Sequence, residues 1–314
     1  MAADDDRGWT AEDVPDQSGT TVVITGANTG LGFEAAAVLA RRGAHVVLAC
    51  RDLSRGQRAV DAIRAGTPDA RLELLALDLA SLGSIRSFAA TVAATHQRVD
   101  VLVNNAGVMA IPYRESADGF EMQFATNHLG HFVLTALLLP RLLSTDRSRV
   151  VTLSSLMHKR GAMDFDDLFF RKRRYQPWAA YSQSKLANLL FALELDRRLR
   201  RHGASVISVG AHPGYSSTEL QARGPAMSRS TVRAVMMKIA NALLAQSASA
   251  GARPELRAAT DGNARGGDYF GPAGFGEVWG RAVRVQPSAA ARDEHAAARL
   301  WETSEQLTGV RFGI

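Results

Sequence analysis

A short β-branched run, Thr20 to Thr25, passes without a break into Thr25-Gly26-Ala27-Asn28-Thr29-Gly30-Leu31-Gly32, and a helical pattern then continues to Arg42. Strand, glycine-rich turn and helix in that order leave few folds open. Glycines let the backbone turn tightly and approach a pyrophosphate, while the helix N-terminus offers free amides and the positive end of its dipole. The spacing is G-x-x-x-G-x-G, not G-x-G-x-x-G, and the same residues also suit a tight turn that holds no ligand. The rest of the chain keeps alternating strand and helix, which implies a doubly wound parallel α/β sheet with ligands at the carboxyl ends of its strands.

Gly43 reads as the residue that ends the first helix. Strands follow at Ala44 to Cys50, Arg71 to Leu77, Asp100 to Asn104, Arg149 to Leu153 and Ser205 to Gly210, with a last one in Gly266 to Pro272. Helices are expected at about Ser54 to Ala65, Leu82 to Thr95, Gly119 to Leu143 with an interruption at Pro140, Ala180 to Leu199, and Asp293 to Gln306; Asp164 to Phe170 suggests a short one. That makes seven strands in the order 3-2-1-4-5-6-7. No repeat or low-complexity linker appears, so 18–314 reads as one domain behind a polar tail at 1–17. An apolar 3.6-residue period within 216–246 reads as a substrate lid after a strand end.

The second strand ends in Leu48-Ala49-Cys50 with Arg51 next. In dinucleotide folds an acidic residue near this point holds the ribose 2′-hydroxyl, whereas an arginine accommodates a 2′-phosphate. Arg51 therefore favours NADP(H); Asp52, one position on, suits a helix cap. Tyr181 and Lys185 lie four apart, one helical turn, where an ammonium can favour the phenolate and make the tyrosine a general acid/base. Alone, that pair more often marks a solvated helix face. His128 and His131 lack a supporting Cys or acidic cluster and read as packing histidines, with no metal.

Composition limits the partners. The single cysteine, Cys50, excludes an internal disulfide and reads as a buried small hydrophobe, suited to a reducing, cytoplasmic setting. The net charge of +6 is almost all arginine, which a compositional bias explains better than nucleic-acid recognition. The runs Arg171 to Arg174 and Arg197 to Arg201 read as solvated faces, with peripheral contact to anionic lipid or another acidic partner as the lesser alternative. No run of eighteen apolar residues predicts a transmembrane helix, and Met1 to Asp6 is acidic without an apolar core, so no secretory signal is expected.

The ordered set Thr25 to Gly32, Asn104-Asn105-Ala106-Gly107, Asn127, Ser155, Tyr181-x-x-x-Lys185 and Pro213-Gly214 closely resembles the short-chain dehydrogenase/reductase family over residues 18 to 310. Ala49-Cys50-Arg51-Asp52, the run Asn127 to Phe132 and Ser184 to Asn188 look like its retinol dehydrogenase and protochlorophyllide reductase branch. The catalytic cysteine of the latter enzyme has no counterpart beyond Cys50, which stands in another segment and argues against a light-dependent reaction.

The resemblance implies a Rossmann-type fold and residue roles. Tyr181 would give or take the proton, Lys185 would lower its pKa and bind the nicotinamide ribose, Ser155 would position the carbonyl oxygen, and Asn127 would hold a water. Gly26, Gly30 and Gly32 would line the pyrophosphate beside Asn28, Thr29 and Leu31. Asp78 and Leu79 would meet the adenine, Asn105, Ala106 and Gly107 the ribose side, and Pro213, Gly214, Ser216 and Thr218 the nicotinamide amide and phosphate. Ser155 and Tyr181 are about twice as far apart in sequence as in the shortest members, so the family's oligomeric state is not carried over. The leading expectation is NADP(H)-dependent interconversion of an alcohol and a carbonyl on an apolar, small or polycyclic substrate. Reduction of a conjugated C=C bond and a silent NADP(H)-binding sensor or scaffold are the alternatives.

Overall fold

A computed structural model describes residues 8–215 and 246–314. Ser216, Thr218 and all but the last residue of the expected lid at 216–246 lie outside the described residues. One sheet organises the chain: β1 (Thr21–Thr25), β2 (His45–Cys50), β3 (Arg71–Ala76), β4 (Val101–Asn104), β5 (Arg149–Leu153), β6 (Ile207–Ala211), β7 (Tyr269–Pro272) and β8 (Ala282–Arg284). The order is β3-β2-β1-β4-β5-β6-β7-β8. All neighbours pair parallel except β7 with β8. The Rossmann-type reading and the order of its seven strands hold.

The eighth strand corrects the count. It has three residues, too few for an alternating pattern, and exists through its partners: Phe270 pairs with Arg284 and Pro272 with Ala282. On its outer side Trp9 forms an antiparallel bridge to Ala282. The same bridge alters the reading of 1–17 as a tail. From Gly8 on this segment is docked, with a 3-10 turn at Ala11–Asp13 and Val14 in the core.

Strand periodicity sorts the core into two layers. Val22, Ile24, Val46 and Leu48 point to one face of the sheet, while Val23, Val47 and Ala49 point to the other. Helices α1 (Gly30–Arg41), α2 (Leu53–Gly66) and α6 (Arg253–Thr260) contribute to the first layer. Helices α3 (Leu82–Thr95), α4 (Gly130–Leu143), α5 (Pro177–Arg201) and α7 (Glu294–Thr308) contribute to the second. Gly43, at φ +92°, follows α1 in the left-handed region, as a helix-ending glycine should.

Three local expectations change. The helix foreseen from Gly119 begins at Met122, where the Glu121 carboxylate caps the amides of Gln123 and Phe124, and includes a π turn at Ala125–Leu129. Pro140 does not interrupt α4; it sits on the exposed side of the last turns, where water can serve the carbonyl that proline leaves unpaired. Asp164 to Phe170 forms turns rather than a helix, because the Asp167 carboxylate draws the amides of Arg171, Lys172 and Arg173 around itself. The basic runs are also partly neutralised from within: Arg173 pairs with Asp164, Arg197 and Arg198 with Glu194, and Arg200 with Asp196.

One buried group opposes the fold at high pH. Glu255 on α6 is buried, neither carboxylate oxygen has a hydrogen-bond partner among the described residues, and burial pushes its pKa up to about 8. A carboxyl raised in the folded state contributes stability in full below its unfolded pKa and loses it as pH rises through the folded value. The unmodified protein should therefore lose stability between about pH 4.5 and pH 8, and Glu255→Met should remove that slope and be more stable at pH 8.5 by a few kcal/mol at most. Denaturant unfolding at pH 5 and pH 8.5 checks this; the same pH dependence in both proteins would exclude it.

Candidate active site

The strand order reverses between β1 and β4, and the crevice there opens at the carboxyl ends of the strands. A cavity of about 680 Å³ occupies this edge and brings together Leu31, Asn105, Gly107, Ser155, Tyr181, Lys185, Pro213 and Gly214 from five separate segments. Its walls are mainly apolar, with Met109, Leu156, Met157, Trp178, Val278 and Trp279 among them. An apolar pocket with a few convergent polar groups is the usual form of a small-molecule site.

The β1–α1 turn is built for close approach. Gly26 and Gly30 take left-handed φ angles of +68° and +59°. A Cβ at Gly32 would stand 2.4 Å from Asn105 Nδ2 and 2.8 Å from the Gly26 carbonyl oxygen, so only glycine fits. Thr29 is the N-cap of α1 but makes no side-chain cap bond, which leaves the first-turn amides to a ligand. Asn28 belongs to this turn, and its amide and that of Ala27 lie against the Cys50 sulfur. Burial pushes the Cys50 thiol up to about 12, in keeping with an inert small hydrophobe.

Behind the turn stands a residue that the motif contains but whose role only the structure exposes. Thr25 Oγ1 accepts from the amides of Asn105 and Ala106, both at 2.9 Å, and Asn105 Nδ2 donates to the Thr25 carbonyl at 2.7 Å. His131 completes the set. Its Nδ1 lies 3.0 Å from the Asn127 carbonyl, which can only accept, so Nδ1 carries the proton. Nε2 then accepts from Thr25 Oγ1 at 2.9 Å. Burial lowers the His131 pKa to about 4, which keeps the ring neutral in this tautomer. His128 is likewise packed, with Nε2 2.9 Å from Ser304 Oγ. Among the described residues no group of three or more metal-ligating side chains gathers.

Asn127 is buried within the π turn. Its Oδ1 accepts from the Val108 amide at 2.8 Å, and its Nδ2 donates to the Val108 carbonyl and to Ser184 Oγ, both at 2.9 Å. A Cβ at Gly107 would stand 3.1 Å from Asn127 Oδ1 and 3.6 Å from Lys185 Nζ, so the absent side chain leaves the space between them open. Ala106 packs against Gly26. Both adjacent serines border the cavity; Ser154 donates to the Lys185 carbonyl at 2.8 Å, whereas the Ser155 side chain faces Tyr181 closely enough to work against the rise of its pKa.

Tyr181 and Lys185 ride on α5, 5% and 4% exposed. The turn spacing places Lys185 Nζ 5.9 Å from the tyrosine ring centre, and the ammonium donates to the Leu153 carbonyl at 3.1 Å. The expected lowering of the tyrosine pKa is not what this geometry produces. Burial raises Tyr181 to about 12, offset only in part by Ser155, and burial lowers Lys185 to about 8. Desolvation therefore outweighs the charge–charge contribution.

The remaining candidates lie on the same sheet edge but outside the cavity wall. Arg51 follows β2, exposed, with no acidic partner among the described residues. Asp52 caps α2 by accepting from the Arg55 amide at 2.9 Å, so this acid is spent on the helix. Asp78 accepts from the Ala80 amide at 3.0 Å, and Leu79 packs under Gly130 at the start of α4.

A model of the family described as short chain dehydrogenase matches residues 20–228. Human retinol dehydrogenase 13 is 44% identical over 294 residues, covering 93% of this chain and 85% of its own. Human retinol dehydrogenase 12 is 40% identical over 294 residues, covering 94% and 88%. Among solved structures, an uncharacterized protein from Mycobacterium paratuberculosis aligns with a TM-score of 0.81 at 46% identity, covering 98% of this chain and 100% of that one.

The hub at Thr25 generates a prediction. Thr25→Val keeps the shape but leaves the part-buried Ala106 amide without its acceptor and the Asn105 amide with only the Val103 carbonyl, at about 1–3 kcal/mol for the unpaired group, and should destabilise the protein and weaken dinucleotide binding together. Thr25→Ser should retain both. Chemical denaturation and cofactor titration measure the two effects, and a valine variant as stable as the unmodified protein would exclude the hub.

Proposed function

The chain belongs to the short-chain dehydrogenase family and is an oxidoreductase, and from that premise we propose that it uses NADP(H) to interconvert an alcohol and a carbonyl on an apolar substrate, with Tyr181 as general acid and base. One observation carries the reading: the hydroxyls of Tyr181 and Ser155 and the ammonium of Lys185 converge on one apolar-walled cavity that also reaches the glycine turn. A reacting carbonyl oxygen set between the two hydroxyls would be oriented by Ser155 and protonated by Tyr181.

The residues fit a dinucleotide phosphate. The uncapped amides of α1, the steric need for glycine at Gly32 and the open space at Gly107 suit a pyrophosphate and a ribose in turn. The cofactor, when bound, supplies the hydride. Gly26, Gly30 and Gly32 would hold the pyrophosphate, Asp78 and Leu79 the adenine, and Asn105 to Gly107 with Lys185 the ribose. Pro213 and Gly214 would meet the nicotinamide amide. Arg51 would meet the 2′-phosphate, since Asp52 is committed to its cap. A Beutenbergia cavernae protein, 28% identical at a TM-score of 0.61, has a structure with bound NADP, which accords with that choice.

The protonation states suit reduction. A tyrosine raised to about 12 keeps its proton throughout the working range, which is the form a proton donor needs. Retinol is the alcohol named in the relatives, and a largely apolar cavity accords with a lipophilic substrate of that kind.

This site generates three predictions. NADP(H) should bind more tightly than NAD(H), and Arg51→Asp should invert the preference by replacing a fork-like donor with a repelling charge. Equal affinity of the unmodified protein for both dinucleotides would refute the assignment. Tyr181→Phe should keep the fold and NADPH binding but lose roughly a hundred- to ten-thousand-fold in turnover. For the free enzyme, carbonyl reduction should hold as pH rises to about 8 and fall beyond it as Lys185 loses its proton. Lys185→Arg should move that fall upward, and a pH profile unaltered by the substitution would exclude Lys185 as its source.

A further inference from the structure

Beyond the cavity's floor, a polar cluster crosses its far wall. His212 follows β6, and its Nδ1 accepts from the Gly214 amide at 3.2 Å, so the ring proton sits on Nε2. Nε2 faces Glu277 Oε2 at 3.0 Å, a contact whose geometry falls short of a linear hydrogen bond and is mainly electrostatic. The other carboxylate oxygen of Glu277 accepts from Lys159 Nζ at 2.8 Å. Lys159 belongs to the 3-10 turn Leu156–Arg160, which Ser155 caps by accepting from the Met157 amide. One carboxylate thus joins the segment holding Gly214 to the segment holding Ser155.

Apart from backbone hydrogen bonds such as those from the Gly274 and Tyr215 amides to the Trp279 and Val278 carbonyls, the loop that carries Glu277 has little side-chain packing to hold it. Phe275 is 89% exposed and Trp279 47% exposed, so hydrophobic burial does not fix its course. Gly276 and Glu277 both take left-handed φ angles, +62° and +60°, and the second is a residue that seldom adopts them. A Cβ at Gly271 would stand 2.1 Å from His212 Nε2, so the space occupied by the imidazole exists only because that residue is glycine. The flanking residues Gly276, Val278 and Trp279 line the cavity, whereas the Glu277 side chain is turned to its partners.

We propose that Glu277 is a positioning residue whose bridge from Lys159 to His212 sets the Val278–Trp279 wall and thereby determines which carbonyl substrates fit by size. The inference rests on the carbonyl-reductase reading for its substrate readout. His212 and Lys159 hold the Glu277 carboxyl at about 2, so the bridge keeps its charge across the working range and is no pH switch. A bulky, fused-ring ketone fills the cavity out to this wall and depends on its position. A short aliphatic aldehyde reaches Tyr181 without touching it.

The test compares Glu277→Gln with the unmodified enzyme on those two substrates with NADPH. The fused-ring ketone should lose about tenfold or more in kcat/KM, through KM, while the short aldehyde changes by less than about twofold. Lys159→Met should show the same selective loss on the ketone and add little in the double variant, and Lys159→Arg should restore selectivity. An equal loss on both substrates, or additive effects of the two substitutions, would overturn the proposal. Hydrogen exchange gives a readout free of turnover. The amides of Gly274 and Tyr215 donate to the Trp279 and Val278 carbonyls at 2.7 and 2.9 Å and should exchange faster in Glu277→Gln. If the unmodified protein reduces neither substrate, the carbonyl reading fails by itself, and unchanged exchange would then overturn the bridge.

Discussion

The hydroxyl of Thr25 ties together the two sides of the crevice on which everything else depends. It accepts from two successive amides after β4, lies at the end of β1 beside the glycine turn, and donates to His131 behind them. A parallel sheet leaves its strand ends as bare carbonyl and amide groups, and a crevice opens where the strand order reverses. Such an opening keeps its shape only if the buried polar groups around it are satisfied, since each one left unpaired costs about 1–3 kcal/mol. Through His131 the same chain of bonds reaches the carbonyl of Asn127, so the π turn and the glycine turn share one network.

Burial then sets the chemistry of the floor. Helix α5 packs between the sheet and α7, and its centre is buried nearly all round. A tyrosine and a lysine brought there lose their water, and desolvation moves both toward their neutral forms. The helix that aligns the pair is thus also what drives their pKa values toward each other, from opposite directions. Ser155 and the Leu153 carbonyl, both at the end of β5, supply the polar contacts that hold the two groups in place.

Histidines give the site its rigidity without contributing charge. His131, His158 and His212 are all lowered by burial, and each has at least one ring nitrogen whose role its partner settles. His158 donates from Nδ1 to the Ser155 carbonyl at 2.7 Å and accepts from the Ser288 amide, while His212 accepts from Gly214. Tyr269 packs against the rings of both His158 and His212. These neutral rings connect the serine side and the Gly214 side to β7, and Glu277 adds a charged link across the far wall.

Much of this was legible in the residues. The β1 run and the glycines after it specified strand, turn and helix, because alternation in Val22-Val23-Ile24 sorts two core faces and Gly32 admits no side chain. The strand order and the meeting of Ser155, Tyr181 and Lys185 followed from a motif set whose members the parallel sheet delivers to one edge. Contacts between distant segments were not legible. The three-residue β8 exists only because Phe270 and Trp9 pair with it, and the bend at Asp167 only because a carboxylate collects three amides. The pKa of Tyr181 also belongs to the tertiary structure. Four residues of spacing place an ammonium nearby, but burial is a property of the whole packed chain, and here it outweighs the charge.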